Sequence, residues 1–366
     1  MTEKSDKTDI EPSELQFLKD MGWYETEEEL ELLISDSSLD LERMPRYFED
    51  PPLNYSSFLG KMDLYRSFII QNTHIIGFYL NLDDNIPSSI KNLKKLKMLV
   101  LAGSEGYNGS ESLEKKYDLD DIFAKIAPLL NLRYLSVINS RMREIPNLTK
   151  TFPKLIYLSV INSRMVEIPN LTKMFPKLIH LYLGGAHLNS TPKWLFKYAQ
   201  KHNSRRYKRE GVIEEEAEIL GLLELISTPF WGYKFDDGKL EIDADGEGGC
   251  NAWPTGYRIN DLGHVIELNL GYSNINNINY YALSYFPEEV CRLTHLERLC
   301  VCNGIFSKEY GIHPPWNNQK ADAEIPEAII NLTKLRQFWS NAKFSNSLLP
   351  FLKSLEKFET DLEFYD

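Results

Sequence analysis

Residues 134–156 are YLSVINSRMREIPNLTKTFPKLI, and residues 157–179 are YLSVINSRMVEIPNLTKMFPKLI. The two stretches are identical at 21 of 23 positions. Chance does not produce such a match, so the pair is a duplication with a 23-residue period. A period between about twenty and fifty residues is typical of chains that stack one small unit on the next, each unit covering the apolar face of its neighbour.

A short apolar frame recurs along the chain, with Leu or a similar residue at the first, fourth and sixth position of each unit. The last part of the frame has period two, which predicts a short strand with alternate side chains inside and outside. Equivalent strands separated by one turn of a coil stack in parallel at about 4.8 Å. The nine candidate units are Ile75-Phe78-Leu80, Leu96-Leu99-Leu101, Leu132-Leu135-Val137, Leu155-Leu158-Val160, Leu178-Leu181-Leu183, Val265-Leu268-Leu270, Leu296-Leu299-Val301, Leu335-Phe338 and Leu355-Phe358.

Together with this frame, residues 86–93 (IPSSIKNL) and 325–332 (IPEAIINL) resemble the leucine-rich-repeat family in its intracellular, short-repeat form of about 23 residues. The resemblance covers roughly residues 75–188 and 264–363. It implies an α/β solenoid, a horseshoe whose concave face is a parallel β-sheet. It also implies a non-enzymatic module that binds a protein partner on that face.

The units are interrupted by a surface loop near residues 105–119, and at greater length between Leu178 and Val265, which are 87 positions apart. The longer interruption begins with a basic helical stretch near residues 193–209 and continues with a second helix after Gly211. The basic stretch is either a solvated face or a site for an acidic partner, RNA or the chain's own acidic arm. The island resembles segments of archaeal leucine-rich-repeat proteins. The predicted segments are an acidic arm or cap at 1–60, a first repeat block at 61–188, the island at 189–262, and a second block with its cap at 263–366.

Residues 1–50 carry nearly all of the net charge, with sixteen Asp and Glu against five Lys and Arg, a net of −11 out of −12. High charge with low hydrophobicity favours disorder. We therefore expect an arm with little fixed structure, apart from a helix near residues 25–35, although its leucines and Trp23 also suit a cap on the first repeat. Deleting residues 1–20 is then expected to leave the unfolding midpoint nearly unchanged.

The rest of the chain is almost neutral, which argues against a surface for nucleic acid or anionic membrane. No apolar run reaches about eighteen residues, and the N-terminus is acidic where a signal peptide is basic and then apolar. Four cysteines in 366 residues do not make a disulfide framework. We expect a cytoplasmic protein without a cofactor or a metal site, since Cys300-Val301-Cys302 lacks zinc-ligand spacing.

The strand register predicts two outward rows of side chains on the concave sheet. Aromatic residues in such rows are the types enriched at binding hot spots, although stacked tyrosines also stabilise a sheet by themselves. The first row is Gly77, Met98, Tyr134, Tyr157, His180, Glu267, Arg298, Gln337 and Lys357. The second is Tyr79, Val100, Ser136, Ser159, Tyr182, Asn269, Cys300, Trp339 and Glu359. The predicted partner-binding residues are Tyr134, Tyr157, His180, Tyr182, Glu267, Asn269, Arg298 and Trp339.

Two other functions stay open at this point. The chain could regulate a nucleotide-binding protein, for example a small GTPase, by presenting Arg298 or an island arginine. It could also be an enzyme whose site assembles within residues 189–262. No phosphate-binding loop, nucleophile elbow or metalloprotease motif occurs in the sequence, so nothing in it favours catalysis.

Overall fold

The computed structural model describes residues 10–26, 28–29, 67–103, 118–138, 142, 144–145, 151–161, 165–183, 188–226, 233–234, 256–270, 274–275, 278–279, 283, 285–301, 324–340 and 342–359. These residues fall into two compact units. The first contains the described residues up to 160 together with 171–181, and the second contains residues 161–170 and those from Tyr182 onward.

One sheet has the strand order β1-β2-β3-β4-β5-β6, in which the β1–β2 pair is antiparallel and β2, β3 and β4 pair in parallel. Its strands are β1 (Ser67–Gln71), β2 (His74–Asn81), β3 (Met98–Ala102), β4 (Tyr134–Ile138), β5 (Tyr157–Ile161) and β6 (His180–Tyr182). The helices that precede or connect these strands are α1 (Pro12–Asp20), α2 (Leu119–Ile126) and α3 (Leu171–Met174).

The other sheet has the order β14-β13-β12-β9-β8-β7, with β9, β12, β13 and β14 paired in parallel. Its strands are β7 (Tyr233–Lys234), β8 (Gly256–Ile259), β9 (Val265–Leu270), β12 (Arg298–Val301), β13 (Gln337–Ser340) and β14 (Lys357–Glu359). A separate hairpin joins β10 (Asn274–Ile275) to β11 (Ile278–Asn279). The helices are α4 (Lys193–His202), α5 (Ser204–Arg209), α6 (Glu214–Ile226) and α7 (Leu349–Ser354).

The predicted frame sets the register of both sheets. Leu99 pairs with Leu135, and Leu299 pairs with Leu268 and Phe338, as the leucine positions require. All nine predicted strands are present. Leu135, Leu158 and Leu181 lie on three successive strands and are at most 2% exposed. The predicted stack of leucines is therefore confirmed.

The Pro-containing segments between strands form short 3-10 helices at Ser88–Asn92, Glu288–Arg292 and Glu327–Asn331. Each follows a proline, whose fixed φ suits the first position of a helical turn. Each also ends on a fully buried leucine, with φ between −71° and −79° and ψ between 56° and 65°. The same turn thus returns the chain to the next strand in both units.

The same arrangement of a helix and an antiparallel hairpin, which we call the cap, stands before the parallel strands of each sheet. In the first unit, Glu14 of α1 accepts a hydrogen bond from the Ile75 backbone N–H at 2.6 Å, and its other oxygen lies 3.1 Å from His74 Nδ1. In the second unit, Glu216 of α6 accepts from the Val265 N–H at 2.5 Å and lies 3.0 Å from His264 Nδ1. Both carboxylates are buried and satisfy the first backbone donor of a parallel strand.

The two caps agree in backbone detail as well. The register of each hairpin shifts at one place, between Ile69 and Ile70 in the first and between Arg258 and Ile259 in the second. The turn residue before the histidine has positive φ in both hairpins, and in the second it is Gly263, where a Cβ would meet a backbone oxygen at 2.4 Å. Part of the predicted island, α6 and β8, therefore serves as the cap of the second unit.

The expectation of a largely unstructured arm is wrong for residues 12–23. Helix α1 buries Phe17 and Leu18 completely, and Trp23 is 6% exposed. The rings of Phe17 and Trp23 lie 5.0 and 4.8 Å from that of Phe78, which begins the core of the first sheet. These apolar contacts outweigh the charge of the surrounding sequence. The helix predicted near residues 25–35 lies mostly outside the described residues.

Replacing Glu216 with Ala is expected to lower the free energy of unfolding of the second unit by about 1–3 kcal/mol, because the Val265 N–H loses its acceptor while it stays buried. Chemical denaturation measures the change. Glu215→Ala is the matched control, since Glu215 lies on the same helix and is exposed. Equal stability of the two variants would contradict the structural role given to Glu216.

Candidate binding surface

The first outward row forms an aromatic ladder on the first unit. Tyr134, Tyr157 and His180 start three successive strands and are partly exposed. Their ring centroids are separated by 6.0 Å between the tyrosines and by 6.3 Å between Tyr157 and His180. Backbone hydrogen bonds of 2.9–3.0 Å at the start of each strand fix these spacings. We call these three residues the aromatic ladder.

The second outward row is covered, contrary to the expectation that it is displayed. Val100 and Ser136 are 2% and 4% exposed, and Ser159 is fully buried. Alternation along a strand determines which side of the sheet a side chain faces. It does not determine whether that side is exposed to solvent. A partner can therefore reach Tyr134, Tyr157 and His180 of the first row, whereas these three positions of the second row are closed to it.

Tyr182 was also predicted to bind, but its surroundings give it a structural role. It is half-buried, and burial together with the nearby Glu224 carboxylate raises the pKa of its phenol. Glu224 lies 3.7 Å from Arg206, which also contacts Glu210 at 2.9 Å. Tyr182 thus belongs to the polar cluster beneath α5 and α6.

The predicted residues of the second unit are mostly buried, which corrects the expectation that they are displayed. Glu267 and Asn269 are 1% exposed, and Trp339 is 7% exposed. Glu267 lies between arginines on the two neighbouring strands, pairing with Arg258 and, at 3.3 Å, with Arg298. A buried carboxylate needs such partners to offset the loss of water. These positions are part of the fold of the second unit.

One group of possible metal ligands exists among the described residues, namely Glu216, His264 and His295. The two imidazole rings stack at 3.7 Å with 18° between their planes. Because histidine binds a metal in the plane of its ring, lone pairs on two stacked rings point side by side and do not converge. The Glu216–His264 contact already has its counterpart in Glu14 and His74, so the cap architecture accounts for it.

Burial and the neighbouring His264 charge lower the pKa of the His295 imidazole. No local motif in the sequence predicts that His264 and His295 lie together, because the two residues belong to different repeats. The aligned segments 73–80 and 263–270 are the available signal, since each places a histidine at or directly before the start of a strand that pairs in parallel with the next repeat.

The cysteines differ from expectation at one position. Cys300 is disulfide-bonded. Disulfides are rare in the cytosol, so this bond removes the cysteine argument for a cytoplasmic location. Cys291 is a free, buried thiol, and burial with Glu288 and Glu289 nearby raises its pKa to about 12. Such a thiol is a poor nucleophile at neutral pH.

Among the helices described, none is both long enough and apolar enough to cross a membrane. No protein-family model matches the sequence, and no curated protein matches it.

Three solved leucine-rich-repeat structures show similarity to this fold. A leucine-rich-repeat protein of Leptospira interrogans is 16% identical over 79% of this chain and 78% of its own, with a TM-score of 0.29. An internalin of Listeria monocytogenes is 12% identical over 84% of this chain and 93% of its own, with a TM-score of 0.28. The leucine-rich-repeat ectodomain of a plant membrane receptor kinase from Arabidopsis thaliana is 15% identical over 83% of this chain and 37% of its own, with a TM-score of 0.24.

Proposed function

We propose that this chain is a non-enzymatic interaction module of leucine-rich-repeat type, and that it holds a protein partner against the aromatic ladder of Tyr134, Tyr157 and His180. The single observation that carries the proposal is the partly exposed ladder itself. Three aromatic side chains stand in line on rigid strands, with ring centroids 6.0 and 6.3 Å apart.

The energetics of association favour such a surface. Aromatic side chains offer a large contact area with few rotatable bonds, so ordering them in a complex costs little entropy. Here the strands fix the rings before a partner arrives, which lowers that cost further. The ladder residues are uncharged apart from the titratable His180, so a partner surface with apolar or aromatic groups suits them.

The proposed division of the chain is an acidic arm or cap at 1–60, a first repeat block at 61–188, an island at 189–262, and a second repeat block with its cap at 263–366.

The alternatives have less support. Regulation of a nucleotide-binding protein through Arg298 requires an available guanidinium, and Arg298 is paired with Glu267 at 3.3 Å. Within residues 189–262, the Tyr257 hydroxyl donates a hydrogen bond to Glu210, and burial raises the pKa of that phenol, so it is a weak nucleophile at neutral pH. Neither the regulatory function nor the catalytic function is favoured by a specific observation.

Replacing both Tyr134 and Tyr157 with Ala is expected to weaken capture of the partner by at least about tenfold, since truncating one central aromatic residue commonly costs more than 1 kcal/mol. The wild-type chain is used for affinity capture, and the affinity for each captured protein is then measured for both forms. Circular dichroism checks that the variant is folded. Tyr182 is left intact because Glu224 and Arg206 lie near its phenol.

Leu130→Ala with Ile179→Ala is the matched control, because these apolar residues of the same unit are 56% and 47% exposed. The control is expected to bind like wild type. A folded ladder variant that retains full affinity would place the binding site elsewhere.

A further inference from the structure

Helices α4 and α5 carry a line of exposed positive charge. Three lysines follow one another at four-residue spacing on α4, and two arginines continue the spacing on α5. Asn203, the single residue between the helices, has helical φ and ψ of −91° and −32°, so the two helices follow one another after a short break. Residues four apart on a helix are neighbours displaced by about 40° around its axis, so each cation lies beside the next. We call these residues the basic stripe: Lys193, Lys197, Lys201, Arg205 and Arg209.

The opposite face of the two helices anchors the stripe. Leu195, Tyr198 and Tyr207 are at most 3% exposed, whereas all five cations are exposed. Helix α6 packs closely behind, because a Cβ at Gly221 would lie 2.9 Å from the backbone nitrogen of Ser204. The stripe is therefore held on a packed support.

The stripe has no ion pair among the described residues, unlike the other cations of the same helices. Arg206 pairs with Glu210 and Glu224, and Lys208 pairs with Glu214. Like charges four residues apart destabilise a helix. The series of like charges in the basic stripe therefore does not stabilise the fold. On a chain with net charge −12, such a series indicates a role in binding another molecule.

We propose that the basic stripe is a docking surface for an acidic polypeptide segment of another protein, separate from the aromatic ladder. Cations four residues apart on a helix recur every 6 Å or so. Carboxylates on every fourth residue of a helix, or every second residue of an extended segment, recur at nearly the same distance. The match lets several charge pairs form at once, which gives orientation as well as attraction.

An acidic polypeptide suits this surface better than nucleic acid does. Glu214 and Glu215 are exposed at the start of α6, next in sequence to the end of the stripe. A long polyanion that follows the stripe meets these carboxylates and the negative charge of the whole chain. A short acidic segment can end before them.

The test uses the full chain and a fluorescein-labelled peptide of about twenty residues with Glu at every fourth position, which spans about 30 Å as a helix. Fluorescence anisotropy at about 0.15 M salt reports the affinity under physiological screening. Lys197→Glu with Lys201→Glu is expected to weaken peptide binding by at least about tenfold. Lys197→Gln with Lys201→Gln supplies a neutral version, expected to weaken binding less, if the charge-reversed chain does not fold.

Lys334→Glu with Lys353→Glu is the matched control, since both lysines are exposed in the same unit and the change in net charge is identical. The control is expected to bind the peptide as wild type does. The proposal is overturned if wild type fails to bind, or if stripe and control variants lose affinity equally. It is also overturned if a single-stranded RNA of similar length or a phosphatidylserine vesicle binds the stripe more tightly than the peptide. Self-association that depends on Lys197 and Lys201 would make a second copy the occupant and would likewise overturn it.

Discussion

Deleting residues 1–20 is expected to destabilise the first unit by about 5 kcal/mol or more, because the deletion removes two fully buried side chains, Phe17 and Leu18, and each such loss costs about 2–5 kcal/mol. It also removes Glu14, which is the acceptor for the Ile75 N–H. Since whole domains are stable by only about 5–15 kcal/mol, partial unfolding of this unit is the expected result. Differential scanning calorimetry shows it as an early transition.

Deleting residues 1–8 is the control for this prediction, because it leaves Ile10, α1 and the cap in place. The control is expected to melt like the full chain. Phe17→Ala gives an intermediate loss and tests the packing against Phe78 alone. Equal melting of the long and short deletions would restore the expectation, drawn from charge, that the arm is dispensable.

The second large effect is expected for Leu158→Ala, which should lower the free energy of unfolding by about 2–5 kcal/mol. Leu158 is 2% exposed and lies between Leu135 and Leu181 on the neighbouring strands, so truncation leaves a cavity in the leucine stack. Denaturant titration measures the loss.

Leu130→Ala is the same chemical change at a position that is 56% exposed, and it should cost far less. If both variants were equally stable, Leu158 would not lie in a packed core, and the register of the sheet would be in error.

The strands and their register could be predicted because one side of the sheet is buried. A shift by one residue would move every leucine from the core to the surface, so the apolar frame permits one register. Leu99, Leu135 and Phe338 pair with their predicted counterparts for this reason.

The caps could not be predicted in the same way. The Glu14–Ile75 and Glu216–Val265 bonds join residues 61 and 49 positions apart, and no periodicity links them. The average charge of residues 1–50 also concealed the few apolar residues of α1 that pack on the core. Composition describes a whole segment, whereas burial is decided residue by residue.

For the candidate surface, the sequence predicts which side of the sheet each side chain faces, but it does not predict which of those side chains are exposed. Alternation placed Tyr134, Ser136 and Asn269 together on the outward side, but Ser136 and Asn269 are buried. Alternation along a strand does not say whether an outward position is buried, and the ion partners of Glu267 on adjacent strands follow from register and side-chain length together. Tyr134, Tyr157 and His180 are among the outward positions that stay partly exposed.

Site-specific photo-crosslinking tests the proposed surface most directly. Tyr157 is replaced by the photoreactive residue p-benzoylphenylalanine, which keeps an aromatic ring in the ladder, and the same residue is placed at the exposed Leu130 as a control. Both proteins are irradiated with the captured partner, and the crosslinked products are identified by mass spectrometry. The expected result is a crosslink to the partner from position 157 and none from position 130. A crosslink from position 130 with none from position 157 would contradict it.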